Sequence, residues 1–224
     1  MTEIAVVDDR AQTPGDYRPS WVNVVAAWVD RRPGPAWLAY MGLMAAGIAL
    51  QLLAAAVEPA IQQAGAIQAT YYGALPVAVL GLIHLLDRSS TRALQVLRPV
   101  LTLTDADVVD VTYQLVVVPT RPALAITAVS IVITPLGYVM DPVGSGAASL
   151  SPVGLVLRWG SESLVTALFL ILIFHTFRQL RLIDRLHASI GDVDLFNPGP
   201  LCAMPRVTST TAAGLVVLLA PACC

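Results

Sequence analysis

Two ionisable residues interrupt the apolar run Val153–Phe174: Arg158 and Glu162. A spacing of four puts them on one helical face, where guanidinium and carboxylate can neutralise each other. Charge at hydrocarbon depth is costly, so such residues often mark a pathway or a site. They also stand near the aqueous start of the run, beside Trp159, where long side chains reach the interface. An interfacial structural pair is therefore the competing reading. Gln51 is the strongly polar residue of the run Ala36–Val57, and an amide there usually bonds to a partner helix. His84 lies near the end of the run Ala69–Leu86, with Asp87 and Arg88 just beyond. Its imidazole could titrate or bind metal, or simply bond to a carboxylate at the interface. Arg158, Glu162, Gln51 and His84 are the candidate intramembrane polar residues.

Other chemistries find no support. His84, His175 and His187 have no metal-ligand spacing. Asp105, Asp107 and Asp110 do not follow a calcium-loop pattern and suit a solvated helix start, after Thr104. There is no P-loop, no GxGxxG after a strand, no HExxH and no GxSxG. Cys202, Cys223 and Cys224 make neither a disulfide framework nor a CxxC site, and the terminal pair departs from the CaaX lipidation pattern. No catalytic residue, cofactor or metal is assigned, and an enzyme is not expected.

The elements that must position these residues follow from composition. Of 224 residues, 56% are hydrophobic and 12% charged, and the mean hydropathy is +0.72. An ordinary soluble domain is about a quarter charged. Apolar runs near the roughly 20 residues needed to cross a bilayer recur. The fold class is all-α, a polytopic transmembrane helical protein with about five spans: 36–57, 69–86, 123–140, 153–174 and 207–224. Little more than Ala212–Cys224 is apolar in the last, so it is either thin and tilted or cut short, and a chain ending inside a helix is the reading adopted.

Residues 1–19 read as a disordered tail. In 20–35, Ser20 can cap a helix from Trp21 to Asp30 with Trp21, Val24, Val25 and Trp28 on one face. That face suits the membrane interface or packing on the protein itself. Gly42 with Ala46, and Ala45 with Ala49, permit close helix approach in the first span. Thr127, Ser130 and Thr134 can bond back to their own helix carbonyls in the third. Residues 87–122 and 175–206 are expected to be loops outside the bilayer. Within the first, 105–118 fits both helix and strand periodicity, and helix is chosen because a lone strand is marginal.

Arginine sets the orientation. The chain has thirteen basic residues, all arginine, which points to a GC-rich genome and hence a bacterium. Twelve lie in the N-terminal segment, in 87–122 or in 175–206, and none lies between spans one and two or three and four. The positive-inside rule makes the arginine-bearing segments and the N-terminus cytoplasmic, in an inner membrane. Arginines placed this way serve topology, so nucleic acid is not an expected partner.

The stretch Ser163–Leu201 passes from apolar to charged without a break and reads as one helix leaving the bilayer. Arg178-Gln-Leu-Arg-Leu-Ile-Asp-Arg-Leu-His187 followed by Asp194-Leu-Phe-Asn-Pro-Gly-Pro-Leu201 resembles segments of uncharacterised bacterial multi-pass membrane proteins. That resemblance implies a further span and a cytoplasmic tail, and no activity. Residues 178–201 are a candidate surface for a cytoplasmic protein partner; a solvated connecting helix is the alternative. The function expected is a non-catalytic, sensor-like or scaffold membrane module. A transporter or channel component is the second hypothesis, resting on Arg158, Glu162, Gln51 and the span prolines.

Overall fold

The computed structural model describes residues 18–58, 65–100, 104–142 and 149–188, with residues 209, 213 and 214. Within these the chain is helical: α1 (Trp21–Asp30), α2 (Ala36–Val57), α3 (Gly65–Leu97), α4 (Asp105–Val116), α5 (Thr120–Met140) and α6 (Pro152–Ala188). A single bridge between Pro19 and Pro119 is the extent of strand-like pairing among them. Four helices, α2, α3, α5 and α6, are long and apolar enough to cross a membrane. The chain is thus a helical polytopic membrane protein. The fifth expected span, 207–224, falls outside the described residues except for Ser209, Ala213 and Gly214, which are helical. Gly214 lies against the Leu82 side chain of α3.

The spans are ordered α2–α3–α6–α5, with α3 and α6 as the inner pair. α3 and α6 are parallel: Tyr72 lines a cavity with Leu157 and Gly160, while Asp87 meets His175 further along both. They have 33 and 37 residues, about 50 and 55 Å at ~1.5 Å per residue. A bilayer core is ~30 Å thick. Both helices therefore run well past it at the arginine-rich end. The outer spans show their apolar residues outward, among them Trp37, Leu53, Val132 and Val139, as lipid contact requires.

Continuation of α6 from its apolar run into the Arg178–His187 repeat matches the sequence reading. The second extension does not. Residues 87–97, expected as loop, continue α3. The charges that suggested a stop are partnered: Asp87 with His175 and Arg88 with Asp30. Leu94 and Leu97 are buried beyond them. The helix chosen over a strand for 105–118 is present as α4. Thr104 and Asp107 make the capping box there, with the Thr104 N–H donating to Asp107 Oδ2 at 3.1 Å and the Asp107 N–H donating to Thr104 Oγ1 at 3.3 Å.

The extensions of α3 and α6, with α1 and α4, form a cap that contains much of the apolar core: Val22, Leu94, Leu97, Leu115, Val118, Leu182, Ile183 and Leu186. Water-driven burial organises this end. Within the bilayer lipid is as apolar as the side chains, and close backbone approach takes over. At the α2–α3 crossing a Cβ on Gly73 would come within 2.6 Å of Ile48 Cα and 2.7 Å of Gly47 O. The small residue used on α2 is thus Gly47. Gly42, singled out from its spacing, has nothing within 4 Å of where its Cβ would stand.

α1 packs inward through Val22 and Val29, leaving Val24 and Trp28 exposed. Val24 and Trp28, two residues of the face singled out in the sequence, are thus not the ones packed on the protein. Ser20 makes no side-chain cap; its hydroxyl donates to Asn23 Oδ1 at 2.9 Å. In α5 the three expected back-bonds form: Thr127 to Ala123 O, Ser130 to Ile126 O and Thr134 to Ser130 O.

Candidate functional site

The C-terminus of α4 is the hub of the cap. The last carbonyls of a helix lack partners within it. Here three successive carbonyls, Leu115 to Val117, are met by side chains from other elements. Gln179 Nε2 donates to Leu115 O at 3.0 Å, Asn23 Nδ2 to Val116 O at 3.2 Å, and Arg178 Nη1 to Val117 O at 2.5 Å. The Val118 N–H returns a bond to Asn23 Oδ1 at 3.0 Å. A guanidinium at a helix C-terminus also opposes the negative end of the helix dipole.

From Gln179 the network runs to a buried acid–base pair. His175 Nε2 is 2.7 Å from Asp87 Oδ1 and 3.0 Å from Gln179 Nε2. Gln179 is fixed amide-nitrogen-first by Leu115 O, so it can only donate to the ring. With its proton on Nε2, His175 donates to the Asp87 carboxylate and the Gln179 contact is unmade. With the proton on Asp87, the carboxyl donates to the single Nε2 lone pair, which the Gln179 amide can then only share. His175 Nδ1 has no partner among the described residues. In either state the Asp87–His175 bond joins α3 to α6, while the Gln179 contact lies within α6.

Asp87 also borders an open cavity of about 570 Å³ between α1, α3 and the end of α4. Asp30, His84, Arg88 and Arg92 line it. His84 sits between two partners: the Tyr40 hydroxyl is 2.8 Å from Nδ1, and Asp30 Oδ1 is 3.4 Å from Nε2. Arg88 Nη2 donates to the same Asp30 oxygen at 2.6 Å. Both ring nitrogens of His84 are occupied, the carboxylate-bonded arrangement weighed in the sequence. Among the described residues no three His, Cys, Asp or Glu gather as a metal site would require.

The other sequence candidates lie toward the arginine-poor end. Arg158 Nε donates to Glu162 Oε1 at 2.8 Å, and the Tyr138 hydroxyl of α5 donates to Glu162 Oε2 at 2.6 Å. The Arg158 guanidinium lies 5.8 Å from the Tyr138 ring centroid, within cation–π range. Trp159 Nε1 donates to Ile131 O at 3.0 Å and so helps tie α6 to α5. Gln51 lines a separate apolar cavity between α2, α3 and α6. Glu58, just past the end of α2, is buried and accepts from the N–H and hydroxyl of Ser151 at the start of α6.

The four candidates therefore do not converge on one site. Arg158, Glu162 and Gln51 share the arginine-poor half, while His84 belongs to the cap. The Asp87–His175–Gln179 group was missed. Its available signal was His175 and Gln179 at i and i+4, polar residues on one face of a helix just leaving its apolar run. The chain matches no protein-family model, and no curated protein or solved structure is similar to it.

Proposed function

We propose that the protein is a non-catalytic membrane module, a sensor-like input or scaffold unit, that passes a change in the bilayer to its cap. We place it in a bacterial inner membrane with the N-terminus and the cap cytoplasmic, because the arginines gather at that end. The observation that carries the reading is the buried Asp87–His175–Gln179–Leu115 chain of contacts. It links two helices that are continuous from the bilayer into the cap with the helix packed across them. A displacement of α6 against α3 in the membrane has to be accommodated at this link. Residues 178–188 carry Arg181, Asp184 and Arg185 outward and are the described part of the surface proposed for a cytoplasmic partner.

Hydrogen–deuterium exchange in nanodiscs tests the coupling. Glu162→Gln perturbs α6 at bilayer level, and the expected outcome is altered exchange in 90–97 and 178–188. Unchanged exchange there would remove the sensor reading. The second reading, a transporter or channel component, is favoured by the Arg158–Glu162–Tyr138 group within the spans. It expects Glu162→Gln to abolish a transport phenotype at normal expression.

A further inference from the structure

The cavity between α2, α3 and α6 has a volume of about 360 Å³, within the range of small-molecule sites of about 300–1,000 Å³. Its walls are largely apolar, and it lies in the arginine-poor half of the spans, beside Gly47, Gly73, Leu157 and Gly160. Besides Ser161, whose hydroxyl donates to Arg158 O at 2.9 Å, two polar side chains line it, the Gln51 carboxamide and the Tyr72 phenol. Neither makes a hydrogen bond among the described residues. A carboxamide offers two donors and an acceptor, and a phenol offers one donor and an acceptor. At hydrocarbon depth there is no bulk water to satisfy them, and leaving such groups bare is unfavourable.

We infer that this cavity binds an uncharged amphiphile drawn from the bilayer, with a hydroxyl or carbonyl head bonded to Gln51 and Tyr72. Three features fix that chemistry. The apolar walls take a hydrocarbon chain or ring. The two unpaired polar groups take a small head that both donates and accepts. A charged head finds no free counter-ion, because Arg158 and Glu162 already neutralise each other. The entrance faces lipid: Leu50, Val156 and Leu157 line the cavity and are also exposed on the outer surface of the helices. The site goes beyond the sensor reading and stands whether or not the cap relays a signal.

Gly160 makes the inference testable without disturbing the fold. A Cβ there would meet nothing within 4 Å, so a larger side chain enters open space rather than a neighbouring backbone. The probe is hexadecanol carrying a diazirine, photolysed with the protein in nanodiscs, and adducts are mapped by mass spectrometry. Adducts are expected on 47–54 and 156–164 above the level on the lipid-facing residues 131–139. Gly160→Leu should lower the cavity adducts about fivefold and leave those on α5 unchanged. Gln51→Leu keeps the apolar shape, and should erase the preference for the alcohol over its methyl ether. Equal labelling of all outward faces, or labelling indifferent to Gly160→Leu, means annular lipid and overturns the site.

Discussion

Asp87–His175 and Arg158–Glu162 are both acid–base contacts on span helices, at 2.7 and 2.8 Å, yet they are built in opposite ways. The first joins α3 to α6, and its side chains are 8% and 1% exposed. The second is an i,i+4 contact within α6, with side chains 30% and 21% exposed. A local pair holds no two helices together by itself; Tyr138 of α5 gives it a tertiary role, through its hydroxyl to Glu162 and its ring beside Arg158. The near-equal distances conceal this difference. What an ion contact does for a fold depends on which elements it connects and on how far its members have left solvent.

The largest effect should follow from breaking the buried pair. His175→Ala leaves the buried Asp87 carboxyl without its ring partner, at a cost of about 3 kcal/mol. Reversible unfolding in mixed micelles measures it. Asp87→Asn keeps a donor facing Nε2 and should cost about 1 kcal/mol, the scale of one altered hydrogen bond. If His175→Ala costs no more than Asp87→Asn, the pair is not the link between α3 and α6, and the contrast with Arg158–Glu162 collapses.

At the other pair the expected effects are smaller. Tyr138→Phe removes the cross-helix arm and should cost about 1 kcal/mol. Arg158→Gln removes the local contact and should cost no more than about 1 kcal/mol. A double-mutant cycle on Arg158 and Glu162 separates their coupling from other losses. Coupling well above 1 kcal/mol would make this a sequestered pair like the first, and would move weight toward the transport reading.

Sequence periodicity exposes what is local and hides what is long-range. The spans, the continuous exit of α6, the α5 back-bonds and the helix start after Thr104 all depend on residues close in sequence, so spacing reveals them. Arg158–Glu162 was legible for the same reason. Asp87–His175 was not, because its partners are 88 positions apart and each alone looks like a polar residue at a span end. The extension of α3 was hidden with it: Asp87 and Arg88 look like a helix stop until their partners are known. The α2–α3 crossing shows the same limit. Small residues recur throughout α2, and only the position of Gly73 on α3 selects Gly47 over Gly42.

The smallest expected effect comes from a third carboxylate, which extends the contrast to a purely local, solvent-facing case. The Thr104 hydroxyl donates to Asp107 Oδ2 at 2.6 Å, and the Thr104 N–H bonds to the same oxygen. These bonds hold the Asp107 carboxyl below its usual value of 3.8. A depressed value in the folded protein means that the ionised form is the one that stabilises. The contribution is therefore fully present above the usual value and fades as pH falls through the lowered one. A carbon-13 carboxyl titration should show the low value in the native protein and its return toward 3.8 in Thr104→Ala. Protection of the first turn of α4 should fall with acid in the native protein and be less sensitive to that change in Asp107→Asn. Neither substitution should alter unfolding at neutral pH as His175→Ala does, because Gln179, Asn23 and Arg178 hold the opposite end of α4 independently of its cap. If Thr104→Ala did loosen the Asp87–His175 link, α4 would be a lever between cap and bilayer rather than a helix pinned at its C-terminus, and local and long-range contacts could no longer be ranked apart.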